Sequence, residues 1–98
     1  MSAHLRLRYN PTDLELLQET TPEDSRDWNF QQLGGVPQHI VDRLPGPEVE
    51  LAPLLDAMMP MDSLWLCRSQ KVGPLYGNSG VALVRDGQPI LYMRLLNY

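Results

Sequence analysis

The sequence predicts an α+β fold, a small and mostly antiparallel sheet with short acidic helices packed on one face. Two apolar runs surround Asp86-Gly87, and Asp-Gly in a two-residue loop is a strong hairpin signal because both positions take positive φ. Residues 63–69 are rich in strand formers. Before them, helix-start signals recur among acidic residues. With 98 residues, 43% of them hydrophobic, residues 1–98 are expected to form one compact domain.

The N-terminal third is predicted to hold one strand and two helices. A strand is expected at 3–9, where Leu5, Leu7 and Tyr9 alternate with polar residues. A short helix is expected at 11–19, because Pro11 suits a first helical position and Thr12 with Glu15 can form a capping box. A second helix is expected from Pro22 to about Leu33, with Thr21 as its N-cap and Gly34-Gly35 as its stop.

Shorter elements are predicted in the middle of the chain. They are a helical piece at 36–44, a short strand at 48–51 and a helical turn from Pro53 to Met59 that Pro60 ends. A strand at 63–69 and a glycine-containing loop then lead to the terminal hairpin, 80–85 and 88–97. The N-terminal strand must join this sheet across the whole chain, and the sequence does not fix the strand order.

The simplest hairpin register places Arg85 opposite Gln88 and predicts two different faces. It pairs Val84 with Pro89, Leu83 with Ile90, Ala82 with Leu91, Val81 with Tyr92 and Ser79 with Arg94. One face is then apolar and expected to be buried: Ala82, Val84, Pro89, Leu91, Met93 and Leu95. The other face is mixed and is the candidate contact surface: Val81, Leu83, Arg85, Gln88, Ile90, Tyr92, Arg94, Leu96 and Tyr98. Pro89 indicates that the second strand lies at a sheet edge, at least near its start.

Charge is segregated along the chain. Residues 10–62 contain eleven acids and two arginines, a balance of −9, whereas the two ends together hold six basic residues and one acid, a balance of +5. Either the acidic middle covers the basic ends, or the basic ends contact another molecule. The acidic net charge of −4 disfavours nucleic acid as that molecule.

Other features limit the compartment and the chemistry. The chain lacks an apolar run of about 20 residues and a signal-peptide pattern, so we expect a cytoplasmic protein without a membrane span. Cys67, the single cysteine, fits a reducing compartment and a buried position. Two histidines and one cysteine lack the short spacings of metal ligands, and no phosphate-binding loop is present, so no cofactor or metal is predicted.

Ser79 and His39 are the two candidate residues for an enzyme site. Ser79 lies between glycines in Gly77-Asn78-Ser79-Gly80, but a strand follows where a nucleophile elbow needs a helix. His39 has Asp42 at helical spacing, yet no nucleophile is near it in sequence. A turn serine and an exposed histidine are the favoured interpretations.

Two surfaces remain as interaction candidates. The first is basic and aromatic, and the second is a methionine cluster that is also typical of core packing. The first comprises Arg6, Arg8, Arg85, Tyr92, Arg94 and Tyr98, and the second comprises Met58, Met59, Met61 and Trp65.

The leading hypothesis is a small non-enzymatic interaction protein that binds and modulates a larger protein or enzyme complex. A small enzyme or ligand-binding domain with a pocket near Ser79 and His39, a nucleic-acid-associated protein and a homodimer stay open as alternatives.

Overall fold

The structure, a computed structural model, describes residues 7–69 and 78–97, with side chains as far as residue 95. Within these residues it contains five strands and four short helices. The strands are β1 (Leu7–Tyr9), β2 (Leu14–Thr20), β3 (Ser63–Ser69), β4 (Asn78–Arg85) and β5 (Gln88–Asn97). The helices are α1 (Pro22–Gln32), α2 (Gln38–Val41), α3 (Pro47–Glu50) and α4 (Ala52–Ala57). The strands form one antiparallel sheet in the order β1-β5-β4-β3-β2, which confirms the α+β fold class.

Helix α1 begins and ends at the predicted signals. The Thr21 side chain accepts a hydrogen bond from the amide of Asp24 at 3.1 Å. At the other end, Gly34 has φ 82°, and the amides of Gly34 and Gly35 donate to the carbonyls of Gln31 and Phe30. This pair of bonds is the Schellman stop that glycine permits.

The predicted helix at 11–19 is wrong, because Leu14–Thr20 forms the edge strand β2. Asn10, at φ 48°, turns the chain before it, and Leu14 and Leu16 pack into the sheet beside Trp65. Glu15, the expected capping residue, instead pairs with Arg68 of β3 at 2.6 Å. Pairing with β3 therefore outweighs the local capping pattern.

The middle segment contains one further correction. The short strand predicted at 48–51 is wrong, because residues 47–50 form helix α3. Pro47 occupies the first helical turn, where its missing amide hydrogen costs nothing. Helices are present within the other two predicted pieces, at Gln38–Val41 and Ala52–Ala57.

The terminal hairpin has the predicted turn, with φ 53° at Asp86 and 77° at Gly87. Arg85 lies opposite Gln88 and Val84 opposite Pro89, as predicted, but the register shifts at Ile90. From there Leu83 pairs with Leu91, Ala82 with Tyr92 and Val81 with Met93, followed by Gly80 with Arg94 and Ser79 with Leu96. The predicted pairs are therefore wrong from Ile90 onward. The extra residue at Ile90 moves Leu91, Tyr92 and Met93 to the opposite face from the one predicted, and a second shift follows between Ser79 and Gly80.

Among the described residues, the start of strand β5 at Gln88 and Pro89 pairs only with β4, as predicted, but its central part is not an edge. Residues 91–93 pair with β1, so β5 lies between β1 and β4 there. Pro89 precedes this paired stretch, and its missing donor therefore removes no bond to β1. The N-terminal strand joins the sheet across the chain, as expected.

Both faces of the sheet are buried. One face packs against α4 and the residue before it: Leu51, Leu54, Leu64, Leu66, Val81, Leu83, Leu91 and Met93 form this core. Trp28 of α1 packs against the same core, which places the helices on this face. The opposite face has a second cluster, Cys67, Ala82, Val84 and Tyr92, with Leu14, Leu16 and Trp65 packed against it.

The sheet is rolled so that its two edges approach each other. Strands β1 and β2 are the edges, yet only residues 10–13 connect them. In a flat sheet, four strand spacings would separate the edges by about 19 Å. Five residue steps reach at most about 18 Å when extended, and Asn10 is not extended. Asp13 joins the edges, accepting hydrogen bonds from Arg8 of β1 at 2.6 Å and from Ser69 of β3 at 3.4 Å.

Candidate interaction site

Residues 58–61, here called the methionine turn, connect the end of α4 to the approach of β3. The amide of Asp62 donates to the carbonyl of Met59 at 2.9 Å, which closes a tight turn with Pro60 at its second position. Proline suits this position because its fixed φ matches the turn. The methionine turn is therefore a defined backbone structure.

The Asp62 carboxylate closes the same turn a second time. It accepts a hydrogen bond from the amide of Met59 at 2.9 Å. It also accepts two bonds from Arg85, at 2.9 Å from Nε and 2.7 Å from Nη2. Arg85 further donates to the carbonyl of Ala57 at 3.4 Å. The hairpin arginine thus fixes both ends of the methionine turn.

The bond from Arg85 holds the pKa of Asp62 below its usual value of 3.8, and the Met59 amide acts in the same direction. Asp62 therefore stays ionised near neutral pH, although its side chain is only 1% exposed. A buried carboxylate with this set of donors favours one conformation of the turn.

The methionines of this turn point into solvent. Met61 is 91% exposed, Met59 57% and Met58 38%. Leu54, one turn earlier on α4, is fully buried. The apolar side chains on the turn are therefore held out from the core by an element that is itself anchored in it.

The basic surface predicted from the sequence is largely paired within the molecule. Arg8 bonds to Asp13 and Arg85 to Asp62, so both arginines neutralise acids of the acidic middle segment. Arg68 does the same with Glu15. The internal-pairing alternative is thus observed for these three arginines.

The remaining predicted contact residues are not on one open face. Tyr92 is fully buried and donates to Asn78 at 2.7 Å, so its expected place on an exposed face is wrong. Val81 and Leu83 of the predicted contact face are fully buried as well, because both faces of the sheet are covered. The shift at Ile90 decides only which of the two clusters Tyr92 joins. Arg94 and Trp65 are half-buried, and Trp65 packs against the second cluster. Arg6 and Tyr98 lie outside the described residues.

The exposed charge of the helical half is negative. Between residues 19 and 56, all of which are described, seven exposed acids lie outside the ion pairs, against one such arginine, Arg43, a balance of −6. The acids are Glu19, Glu23, Asp24, Asp27, Asp42, Glu48 and Asp56. This surface attracts positively charged groups and repels phosphates.

The two residues considered for an enzyme site differ in accessibility. Ser79 is fully buried in β4, and its hydroxyl has no hydrogen-bond partner among the residues that the structure describes. His39 is exposed on α2, where Asp42 accepts a bond from Gln38. A buried hydroxyl cannot meet a substrate unless the sheet opens. Among the described residues, no group of three or more potential ligands could hold a metal ion.

Comparison of the chain with protein-family models, with curated proteins and with solved structures finds no match. In the described part of the chain, no helix is long and apolar enough to cross a membrane. The geometry of the methionine turn is therefore the basis for a functional proposal.

Sequence reasoning identified the methionines but missed Asp62. Its role depends on Arg85, 23 residues away, which no local pattern indicates. A partial signal was present, because Pro60 marks the second position of a turn that ends at Asp62.

Proposed function

We propose that the chain is a small non-enzymatic interaction protein, of the adaptor, inhibitor or accessory type, which binds and modulates a larger protein or enzyme complex through the methionine turn. The observation that supports this most directly is the exposure of Met58, Met59 and Met61 on a fixed backbone. Methionine that only fills a core is buried, and these side chains are not.

Such a turn suits binding for two reasons. Fully burying one methionine against a partner contributes about 1.5–3 kcal/mol, so several adjacent methionines form an effective contact. The backbone is already ordered by Asp62 and Arg85, which reduces the entropy lost on association. The methionine side chains themselves stay flexible and adapt to the partner surface.

Site-specific photo-crosslinking tests this proposal. A photoreactive side chain at position 61 is expected to crosslink to one discrete protein in cells that express the chain. The same group at Val49, which is also exposed and lies on α3, is the matched control and is expected to give no such product. The captured protein, once purified, is expected to bind Met59→Ser/Met61→Ser at least about tenfold more weakly than wild type.

Two results would contradict the proposal. One is an identical set of crosslinked proteins from positions 61 and 49. The other is a captured protein whose affinity is unchanged by the double serine variant while that variant keeps its wild-type urea midpoint.

A further inference from the structure

The acidic surface reaches the methionine turn at Asp56. This residue lies in the last turn of α4, two positions before Met58, and it is exposed. A carboxylate near a helix C-terminus is disfavoured by the helix dipole, so its position costs some stability. Asp56 is absent from the ion pairs among the described residues. It therefore adds an uncompensated negative charge beside Met58, Met59 and Met61.

This charge distinguishes between possible occupants of the turn. In a twofold dimer the same patch lies on both sides of the interface, so a second copy would bring its own Asp56 and acidic helices to this surface. Like charges placed together in this way cost stability. Phosphate-rich surfaces are repelled by the same field. A positively charged protein segment is favoured by it.

We infer, on the basis of the proposed function, that the partner of the methionine turn is a basic amphipathic helix, with an apolar face for the methionines and lysine or arginine on its flanks. Apolar anchors on a helix bury against pliant methionine side chains, whereas a flanking cation lies near Asp56 and the exposed acids of the helical half attract the segment at longer range. The apolar contact supplies most of the affinity. The charges select the partner and speed its association.

Two designed peptides provide the test. Both form a helix with the same leucine face, and their polar positions are all lysine in one and all glutamate in the other. Their binding to the full chain is measured by fluorescence anisotropy. We expect the lysine peptide to bind, and we expect its affinity to fall as the ionic strength rises from about 0.05 to about 0.5 M.

Three variants locate the contact. Met59→Ser/Met61→Ser is expected to lower the affinity for the lysine peptide at least about tenfold, whereas Val49→Ser is expected to change this affinity less than about twofold. Asp56→Lys is expected to lower the affinity for the lysine peptide more than Glu23→Lys does. Glu23→Lys makes the same charge change on the first turn of α1 and is the matched control. All of the substituted side chains are exposed, so the variants are expected to fold. Urea midpoints verify that each variant is folded.

Each contrary outcome has a distinct meaning. Equal or tighter binding of the glutamate peptide at the turn would overturn the basic partner and leave the turn as a docking site. Unchanged binding in the double serine variant would overturn the inference. A wild-type dimer that dissociates in that variant would identify the occupant as a second copy. The proposed function fails by a different readout, namely the absence of crosslinks specific to position 61.

Discussion

Asp62 connects three separate segments through one carboxylate. It accepts bonds from the Met59 amide and from Arg85, and Arg85 also reaches the carbonyl of Ala57. The bond from Arg85 is the main cause of the lowered pKa of Asp62. Because the pKa is lower in the folded state, this group contributes stability that is fully present above 3.8 and lost as pH falls through the folded-state value.

Asp62→Asn should therefore lower the urea midpoint near neutral pH. The substitution removes the ionic part of the bond to Arg85 and weakens the side-chain closure of the methionine turn, whereas the backbone bond from the Asp62 amide to the Met59 carbonyl is kept. The difference from wild type should shrink well below pH 3.8, because protonated Asp62 and asparagine are then both neutral. Asp56→Asn serves as the control and should not lower the midpoint. A difference for Asp62→Asn that stays constant with pH would contradict this account.

At the scale of elements, local signals were sufficient wherever the structure is decided locally. The cap at Thr21, the stop at Gly34 and the turn at Asp86-Gly87 each depend on a few adjacent residues. The strand predicted at 63–69 has the observed bounds, because its composition and its burial agree.

The failures occurred where distant contacts decide the structure. In β2 the capping pattern of Thr12 and Glu15 loses to pairing with β3, although the alternation of Leu14, Glu15 and Leu16 was a strand signal. The shift at Ile90 has no counterpart in the local sequence, and it moved Tyr92 to the opposite face from the one predicted. The predicted contact face is itself buried, since Val81 and Leu83 pack beneath α4, which the local sequence also did not indicate. The sequence pattern also did not decide whether the methionines are buried in the core or exposed at the surface. The contact that orders their turn, between Asp62 and Arg85, joins the residue before β3 to the end of β4, which are 23 residues apart.

Gly80 permits the close approach of β4 and β5, and a substitution at this position tests that role. A Cβ at this position would overlap the carbonyl oxygen of Met93, next to the register shift between Ser79 and Gly80. Gly80→Ala should thus destabilise the fold by about 1–3 kcal/mol, because the backbone of β5 must move. Gly46→Ala is the matched control, since Gly46 has φ −60° and open space around it. Equal urea midpoints for the two variants would refute this explanation of the glycine.

At the scale of the whole molecule, the roll of the sheet brings its two edge strands, β1 and β2, close together. Asp13 holds the edges together through Arg8 and Ser69, and the bond from Arg8 lowers the pKa of Asp13. Cys67 lies in the second cluster with no exposed surface. Its accessibility to a reagent therefore depends on how often that cluster opens.

Labelling of Cys67 by a thiol reagent should measure this opening. Burial raises the pKa of Cys67 from 9.0 to about 12, so the buried thiol is protonated near neutral pH, and the reagent meets the reactive thiolate only in molecules in which the cluster has opened. We therefore expect native labelling to be much slower than labelling in urea, by a factor that reports the opening equilibrium.

Two substitutions then ask whether Asp13 controls the opening. Asp13→Asn and Glu15→Gln each remove one partly exposed ion pair, which contributes at most about 1 kcal/mol. Asp13 joins the two edges of the sheet, whereas Glu15 joins neighbouring strands. Asp13→Asn should accelerate labelling of Cys67 by up to about fivefold, since 1 kcal/mol changes an equilibrium by that factor. Glu15→Gln should change it less, because β2 stays paired with β3. Equal acceleration by both variants would show that general loss of stability, not release of the edges, exposes the second cluster.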